Sequence, residues 1–429
     1  MISACRKRVF TITSAFLLLL NVAALPCGSR TIEVPVSGEA LPGLQTFDKE
    51  FVLFMRKWEI NGGSLAIARR GKLVYARGYG FASIKKQQAM QPDSVFRLAS
   101  LSKSITAVAI LKLCQDGKLK LDDKAFRLLQ DQLRPCRGRQ IDPAIYAVTI
   151  KQLLQCTAGW SIEASDAIFS PMFEMACENC DSKPVYTAIQ VIRWWASIAP
   201  HFPPGTRYSY NSLESLILGE VVTVVAKQPY ADYVTEKILR PVQLRSVHPG
   251  HTLKADPKEP FYYARGNARV ASLYPAEGLT TLAYGGDFML EKVTAAAGWV
   301  GTTIDMVKFV ATLSGERPGV HSPLNATYFK LMLERPPIEQ WKRPFDEYYA
   351  MGFEVQNFKD GKTMYSRHGS LAGSITNVAH RSDGFSVAFG FNGRPQERDA
   401  CREEAETMIW RAIDRQKSWP DKDLFGKYQ

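Results

Sequence analysis

Phe96-Arg97-Leu98-Ala99-Ser100-Leu101-Ser102-Lys103-Ser104-Ile105-Thr106 passes from a loop into a helix and sets a serine three residues before a lysine. The run that follows, Ile105-Thr106-Ala107-Val108-Ala109-Ile110-Leu111-Lys112-Leu113, is apolar enough for a buried helix. Residues three apart share a helix face, so Lys103 can lie beside the Ser100 hydroxyl. At a helix N-terminus the free backbone N–H groups and the dipole favour negative charge. A serine there can attack a carbonyl while the helix end helps hold the oxyanion. A neutral lysine can take the serine proton, provided burial or a neighbouring cation lowers its pKa. Taken alone, the pair also fits a capped helix with an exposed lysine, so the rest of the chain has to decide.

The 429 residues are 46% hydrophobic and 22% charged, a globular composition with ample core, and the length suggests two or three domains. The formal charge of +12 suits small or polymeric anionic partners such as a cell envelope. Nucleic acid is not expected, because the basic residues are scattered and form no recognised motif. Residues 1–28 read as an export signal. Arg6-Lys7-Arg8 is its basic start, Val9 to Ala24 its apolar run, and Val22-Ala23-Ala24 a small-residue cleavage site. That predicts an exported, periplasmic or secreted protein, with an uncleaved membrane anchor as the alternative.

Export permits disulfides. Of eight cysteines, Cys136, Cys177 and Cys180 lie in polar, loop-like sequence and are the best candidates for pairing; Cys114 and Cys156 lie in apolar helical contexts and read as free core thiols. No metal is expected. Cys177-Glu178-Asn179-Cys180 lacks a second pair at metal spacing, and His248-Pro249-Gly250-His251 lacks further ligands.

Along the chain, Phe47 to Trp58 has helical periodicity. Ser64 to Arg69 and Leu73 to Tyr79 flank a turn at Arg70-Gly71 and predict a hairpin. Helices are predicted at Thr149 to Leu154, Val185 to Ile198, Leu213 to Val225, Tyr230 to Leu239, Ile304 to Leu313 and Arg402 to Gln416. Four strand-like pieces lie near the end: Tyr349 to Gln356, Lys362 to Ser366, Ile375 to His380, and Phe385 to Phe391. Strands at both ends with helices between predict an α/β chain of the α+β kind. An antiparallel sheet with terminal helices (45–105 and 298–415) would carry an inserted mainly helical domain (106–297), followed by a tail (416–429). The site would lie in the cleft between them.

Several segments, in order, resemble the serine β-lactamase and penicillin-recognising superfamily, in its class C β-lactamase, D-alanyl-peptidase and esterase branch. Gly71 to Gly80 is similar to its first hairpin and Phe96 to Thr106 to its nucleophile segment. Leu153-Leu154-Gln155-Cys156-Thr157-Ala158-Gly159 resembles its "LLTHTSG" element, with cysteine where histidine is usual. Pro204-Gly205-Thr206-Arg207-Tyr208-Ser209-Tyr210 resembles the lead into its tyrosine, and Ala297 to Asp305 a later turn. Ser-x-x-Lys is itself a motif of these enzymes.

The resemblance implies a β-lactamase/transpeptidase-like fold, no cofactor, and a small-molecule or peptide substrate. It implies Ser100 as nucleophile, Lys103 sharing its proton, and Tyr210 as the phenolic partner. Arg367-His368-Gly369-Ser370 resembles the Lys-Thr-Gly or His-x-Gly strand. Arg367 then takes the cationic place, and the backbone N–H groups of Ser370 and Ser100 form the oxyanion hole. A register one residue later would put His368 first.

There are two departures. Tyr210-Asn211-Ser212 carries serine where the family has the asparagine that holds a substrate amide. Arginine or histidine replaces the lysine that meets the β-lactam carboxylate, a role Arg367 could still fill as a bidentate clamp. The expected function is an exported serine hydrolase acting through an acyl-serine on an ester, a D-amino-acid peptide or a β-lactam. The alternative is a non-catalytic relative that binds cell-wall peptide or a similar ligand.

Overall fold

The computed structural model describes residues 34–136, 138–161, 187–264, 269–341 and 347–428. The leader at 1–28, Cys177, Cys180 and nearly all of the loop 161–185 fall outside them. Val34–Gln429 form one compact unit.

Residues that build the sheet come from both ends of the chain. β1 (Val36–Gly38), β2 (Gly62–Arg69) and β3 (Lys72–Ser83) are followed far downstream by β4 (Glu347–Tyr349), β5 (Glu354–Asn357), β6 (Thr363–Leu371), β7 (Ser374–Arg381) and β8 (Phe385–Phe391). Their order is β1-β3-β2-β8-β7-β6-β5-β4, every pair antiparallel, with the short strand Gln88–Ala89 also on β3. The hairpin of β2 and β3 turns at Arg70 (φ 47°) and Gly71 (φ 75°), the double positive φ of a two-residue turn. β2 is buried on both faces along nearly its whole length, so its apolar run is nearly continuous rather than alternating.

The helices that cover the sheet lie on opposite faces. α1 (Gln45–Lys57) sets Phe51 against Tyr79 at 4.5 Å between ring centroids and Phe54 against Phe391 at 5.6 Å. α2 (Ser102–Gln115) and α3 (Leu213–Ala226) pack together in the helical segment. α4 (Thr303–Leu313) covers the other face, where Thr303 meets Ser64 at 3.1 Å and Tyr365 Oη donates to the Val310 carbonyl at 2.8 Å. α5 (Arg398–Arg415) packs with α1.

Several local expectations change. Tyr349 to Gln356 is two antiparallel strands rather than one, because the chain reverses through Ala350–Phe353, whose Gly352 carbonyl accepts from Ser104 Oγ of α2 at 2.6 Å. Arg367-His368-Gly369 lies within β6, which runs past the predicted end at Ser366 because pairing with β7 extends to Leu371. Trp299–Thr302 is a strand on Val95–Arg97 before α4 begins. Tyr230–Val234 is α-helical and continues as one wider turn through Thr235–Leu239. The segment 416–428 does not trail away: Leu424 and Phe425 are buried, and Leu424 N–H donates to the Leu73 carbonyl. Cys114, Cys156 and Cys401 are buried free thiols, and Cys136 is disulfide-bonded. Among the described residues no helix is long and apolar enough to cross a membrane.

Candidate active site

Ser100 sits in a single 3-10 turn, Ala99–Leu101, that leads directly into α2. The turn is held from three sides. Leu98 N–H donates to the Trp299 carbonyl at 2.9 Å, and Thr376 Oγ1 of β7 donates to the Leu98 carbonyl at 3.0 Å. Ala99, buried, takes a left-handed φ of 50°, a conformation disfavoured for a residue with a Cβ and held here by its surroundings. The third support is Gly369 of β6. A Cβ there would stand 2.2 Å from the Leu98 carbonyl oxygen and 3.0 Å from Ala99 Cβ. Only glycine lets β6 approach this closely. Gly369→Ala should therefore lower stability by about 1–3 kcal/mol and, by pushing the strand off the turn, lower kcat by about 100-fold. Thermal unfolding and steady-state kinetics check this; unchanged values in both would show that the contact does not position Ser100.

The Ser100 hydroxyl oxygen accepts two hydrogen bonds, from Lys103 Nζ at 3.1 Å and from Tyr210 Oη at 2.8 Å. Lys103 also donates to the Ala296 carbonyl at 3.0 Å. Tyr210 in turn accepts from Arg367 Nη2 at 2.5 Å, and both cations stand over its ring, Lys103 Nζ at 5.1 Å and Arg367 Cζ at 4.8 Å from the centroid. Burial pushes the Lys103 ammonium below its usual range; the Tyr210 oxygen opposes this and Arg367 adds to it. Burial alone would raise the Tyr210 phenol, but Arg367 and then Lys103 outweigh it, so the phenol ionises below its usual range. The two groups share one hydroxyl and titrate as a set. This is the arrangement a serine needs to lose its proton to a neighbour and have it returned to a leaving group.

Successive strand residues face opposite ways, so only one of Arg367 and His368 can face Ser100. It is Arg367, whose Nε also donates to the Ser100 carbonyl at 3.2 Å. The arginine-first register matches the geometry. Its expected use as a carboxylate clamp does not. Arg367 is 1% exposed, and its third nitrogen, Nη1, binds Glu354 Oε1 at 2.9 Å. Glu354, at the first position of β5, also places Oε2 3.2 Å from His368 Nδ1, off the line of a hydrogen bond. Burial opposes its charge, but His368, Arg367 and Arg402 hold its carboxyl at about 2.

Asn211 and Ser212, the candidates for substrate or oxyanion contact that follow Tyr210, are both buried. Asn211 is fully buried. Its Oδ1 accepts from the Glu214 N–H at 3.0 Å, and its Nδ2 donates to the Ser209 and Trp160 carbonyls. It shapes the entry to α3 and has no amide free for substrate. Ser212 is buried at the N-cap of α3. Ser370 is half-buried on β6, its Oγ donating to the Ser374 carbonyl at 3.2 Å. Glu354 and the Ala296 carbonyl were not singled out by sequence, since neither belongs to a motif. Among the described residues no three His, Cys, Asp or Glu side chains cluster as metal ligands, and His248 is paired with Asp256.

The family model named Beta-lactamase matches residues 47–407. Protein flp of Staphylococcus aureus (strain MW2) is 30% identical over 193 residues, 44% of this chain and 35% of that protein. Esterase EstB of Burkholderia gladioli is 31% identical over 201 residues, 46% of this chain and 49% of that protein. The chain thus spans between a third and a half of the length of these curated relatives. The structure of the octameric penicillin-binding protein homologue from Pyrococcus abyssi superposes with a TM-score of 0.66 at 20% identity, covering 85% of this chain and 77% of that one, a likeness of fold. With a match that spans most of its length, this chain belongs to the Beta-lactamase family.

Proposed function

We propose that the protein is a serine hydrolase that carries an acyl group on Ser100 Oγ. One observation carries this: a single hydroxyl receives hydrogen bonds from both Lys103 and Tyr210, and Arg367 is bonded to that same phenol. Ser100 Oγ attacks the carbonyl carbon while its proton passes to the Lys103–Tyr210 pair. The backbone N–H groups of Ser100 and Ser370 are the intended donors to the oxyanion. The C–O or C–N bond then breaks, and the pair delivers the proton to the leaving alcohol or amine. Water repeats the sequence on the acyl-enzyme and frees Ser100.

Esters and D-amino-acid amides or peptides are the substrates this reading favours over β-lactams. The likeness to Esterase EstB supports the first, and the occupied Arg367 fork weakens the last. Export is part of the proposal and rests on the Arg6 to Ala24 run; N-terminal sequencing of secreted protein checks it.

The test is intact-protein mass after incubation with a short activated ester and, separately, a penicillin, with product assayed in the same tube. An acyl increment that maps to Ser100, or its released acid, is the expected result with the ester. Neither adduct nor product from either reagent would favour the non-catalytic, ligand-binding alternative.

A further inference from the structure

Among the described residues, Glu354 is the one carboxylate bonded to the Ser100–Tyr210–Arg367 chain, and no step of acyl transfer uses it. Its Oε1 holds Arg367 Nη1 at 2.9 Å, and its side chain is about one-fifth exposed against 2% for Arg367. Each of the three guanidinium nitrogens has a protein partner: Nη1 donates to Glu354, Nη2 to Tyr210 Oη and Nε to the Ser100 carbonyl. The other cation at the nucleophile, Lys103, is taken by Ser100 Oγ and the Ala296 carbonyl. His368, on the adjacent position of β6, is drawn to Glu354 as well. Lys103, which touches the reacting hydroxyl, and Arg367, which touches its phenolic partner, therefore both have protein partners, and a fixed negative charge is bonded to the phenol's donor.

We propose that Glu354 is a positioning and specificity-determining residue. It anchors Arg367 on Tyr210 and, by neutralising it, suits the site to acyl substrates with no carboxylate beside the scissile bond. This rests on the serine-hydrolase reading above. An incoming carboxylate would have to displace Glu354 from Arg367 or sit close to it without a counter-charge, and a buried charge without a partner is disfavoured. A neutral ester or amide needs only the oxyanion donors and the proton pair.

The experiment uses the full chain and two substrates with the same acyl group: one whose leaving alcohol bears a free carboxylate next to the ester oxygen, and its methyl ester. The wild-type protein should favour the neutral one by about tenfold or more in kcat/KM. Glu354→Gln keeps an oxygen for Arg367 but removes the charge. It should shrink that preference by about tenfold, mainly through a lower KM for the carboxylate substrate. Glu354→Asp keeps the charge and should keep the preference. Ratios within one variant do not depend on how much of it is folded, so a partly unfolded Glu354→Gln still reports. Ser100-dependent turnover with equal rates for the two esters, or a ratio unmoved in Glu354→Gln, would overturn this inference and leave the hydrolase reading standing. No Ser100-dependent turnover of either ester would overturn both.

Discussion

Ser100→Ala should reduce turnover to background, a loss of more than about 10,000-fold, and Lys103→Met should cost about 1,000-fold or more. The two numbers follow from geometry. Ser100 Oγ is the common acceptor of Lys103 and Tyr210, so without it there is no atom to acylate and no group for the pair to deprotonate. Lys103 is 2% exposed and bonded to the Ala296 carbonyl as well as the hydroxyl, so no water takes its place readily when it is removed. Methionine keeps most of its length and removes only the amine. Because the three side chains act as a unit, losses should not add: Lys103→Met combined with Tyr210→Phe should cost little more than the worse single change. Single-turnover acylation measured on all four proteins tests this. Lys103→Met with wild-type acylation would show that Tyr210 alone manages the proton, and additive losses would show that the two work at separate steps.

Arg367→Met should lower kcat/KM at neutral pH by about 100-fold and move the rising limb of its pH profile to higher pH. The sign follows from what Arg367 does to Tyr210. Burial alone would push the phenol upward, and the guanidinium is the largest effect that reverses it. Remove it and less opposes burial, so the basic form of Tyr210 is reached only at higher pH. Raising the assay pH should then recover part of the lost rate, which a merely misfolded variant would not show. Arg367→Lys is the informative control. It keeps a positive charge, but an ammonium cannot hold Glu354, Tyr210 and the Ser100 carbonyl in one planar fork. Its limb should lie between those of wild type and Arg367→Met. An unshifted limb in Arg367→Met would show that Arg367 does not set the phenol's ionisation.

Much of this was already legible in local sequence. The hairpin about Arg70-Gly71 needed only two apolar runs and a turn pair. α2 needed only its unbroken apolar run, and Ser100 beside Lys103 followed from a three-residue spacing that survives even though the serine lies in the 3-10 turn before the helix. Such features depend on backbone periods that repeat within one element.

The rest depended on contacts that no single element's repeat sets. β8 pairs with β2, Val387 against Ile67, and this joint alone makes one sheet of the two ends. Tyr210 meets Ser100 across 110 positions, a contact that a resemblance could suggest but no local pattern could place. Which of Arg367 and His368 faces the serine was left open by sequence, since a one-residue slip in β6 exchanges its faces; pairing with β7 settles it. The same pairing of β5 with β6 brings Glu354 to Arg367 and turns an expected carboxylate clamp into a fixed donor for Tyr210. Asn211, adjacent to the tyrosine in sequence, is instead consumed by the backbone of the turn into α3. Residue identities and short spacings thus set the chemistry available to this chain, whereas strand pairing and burial decided which polar groups remained for substrate, because both are set by partners on other elements.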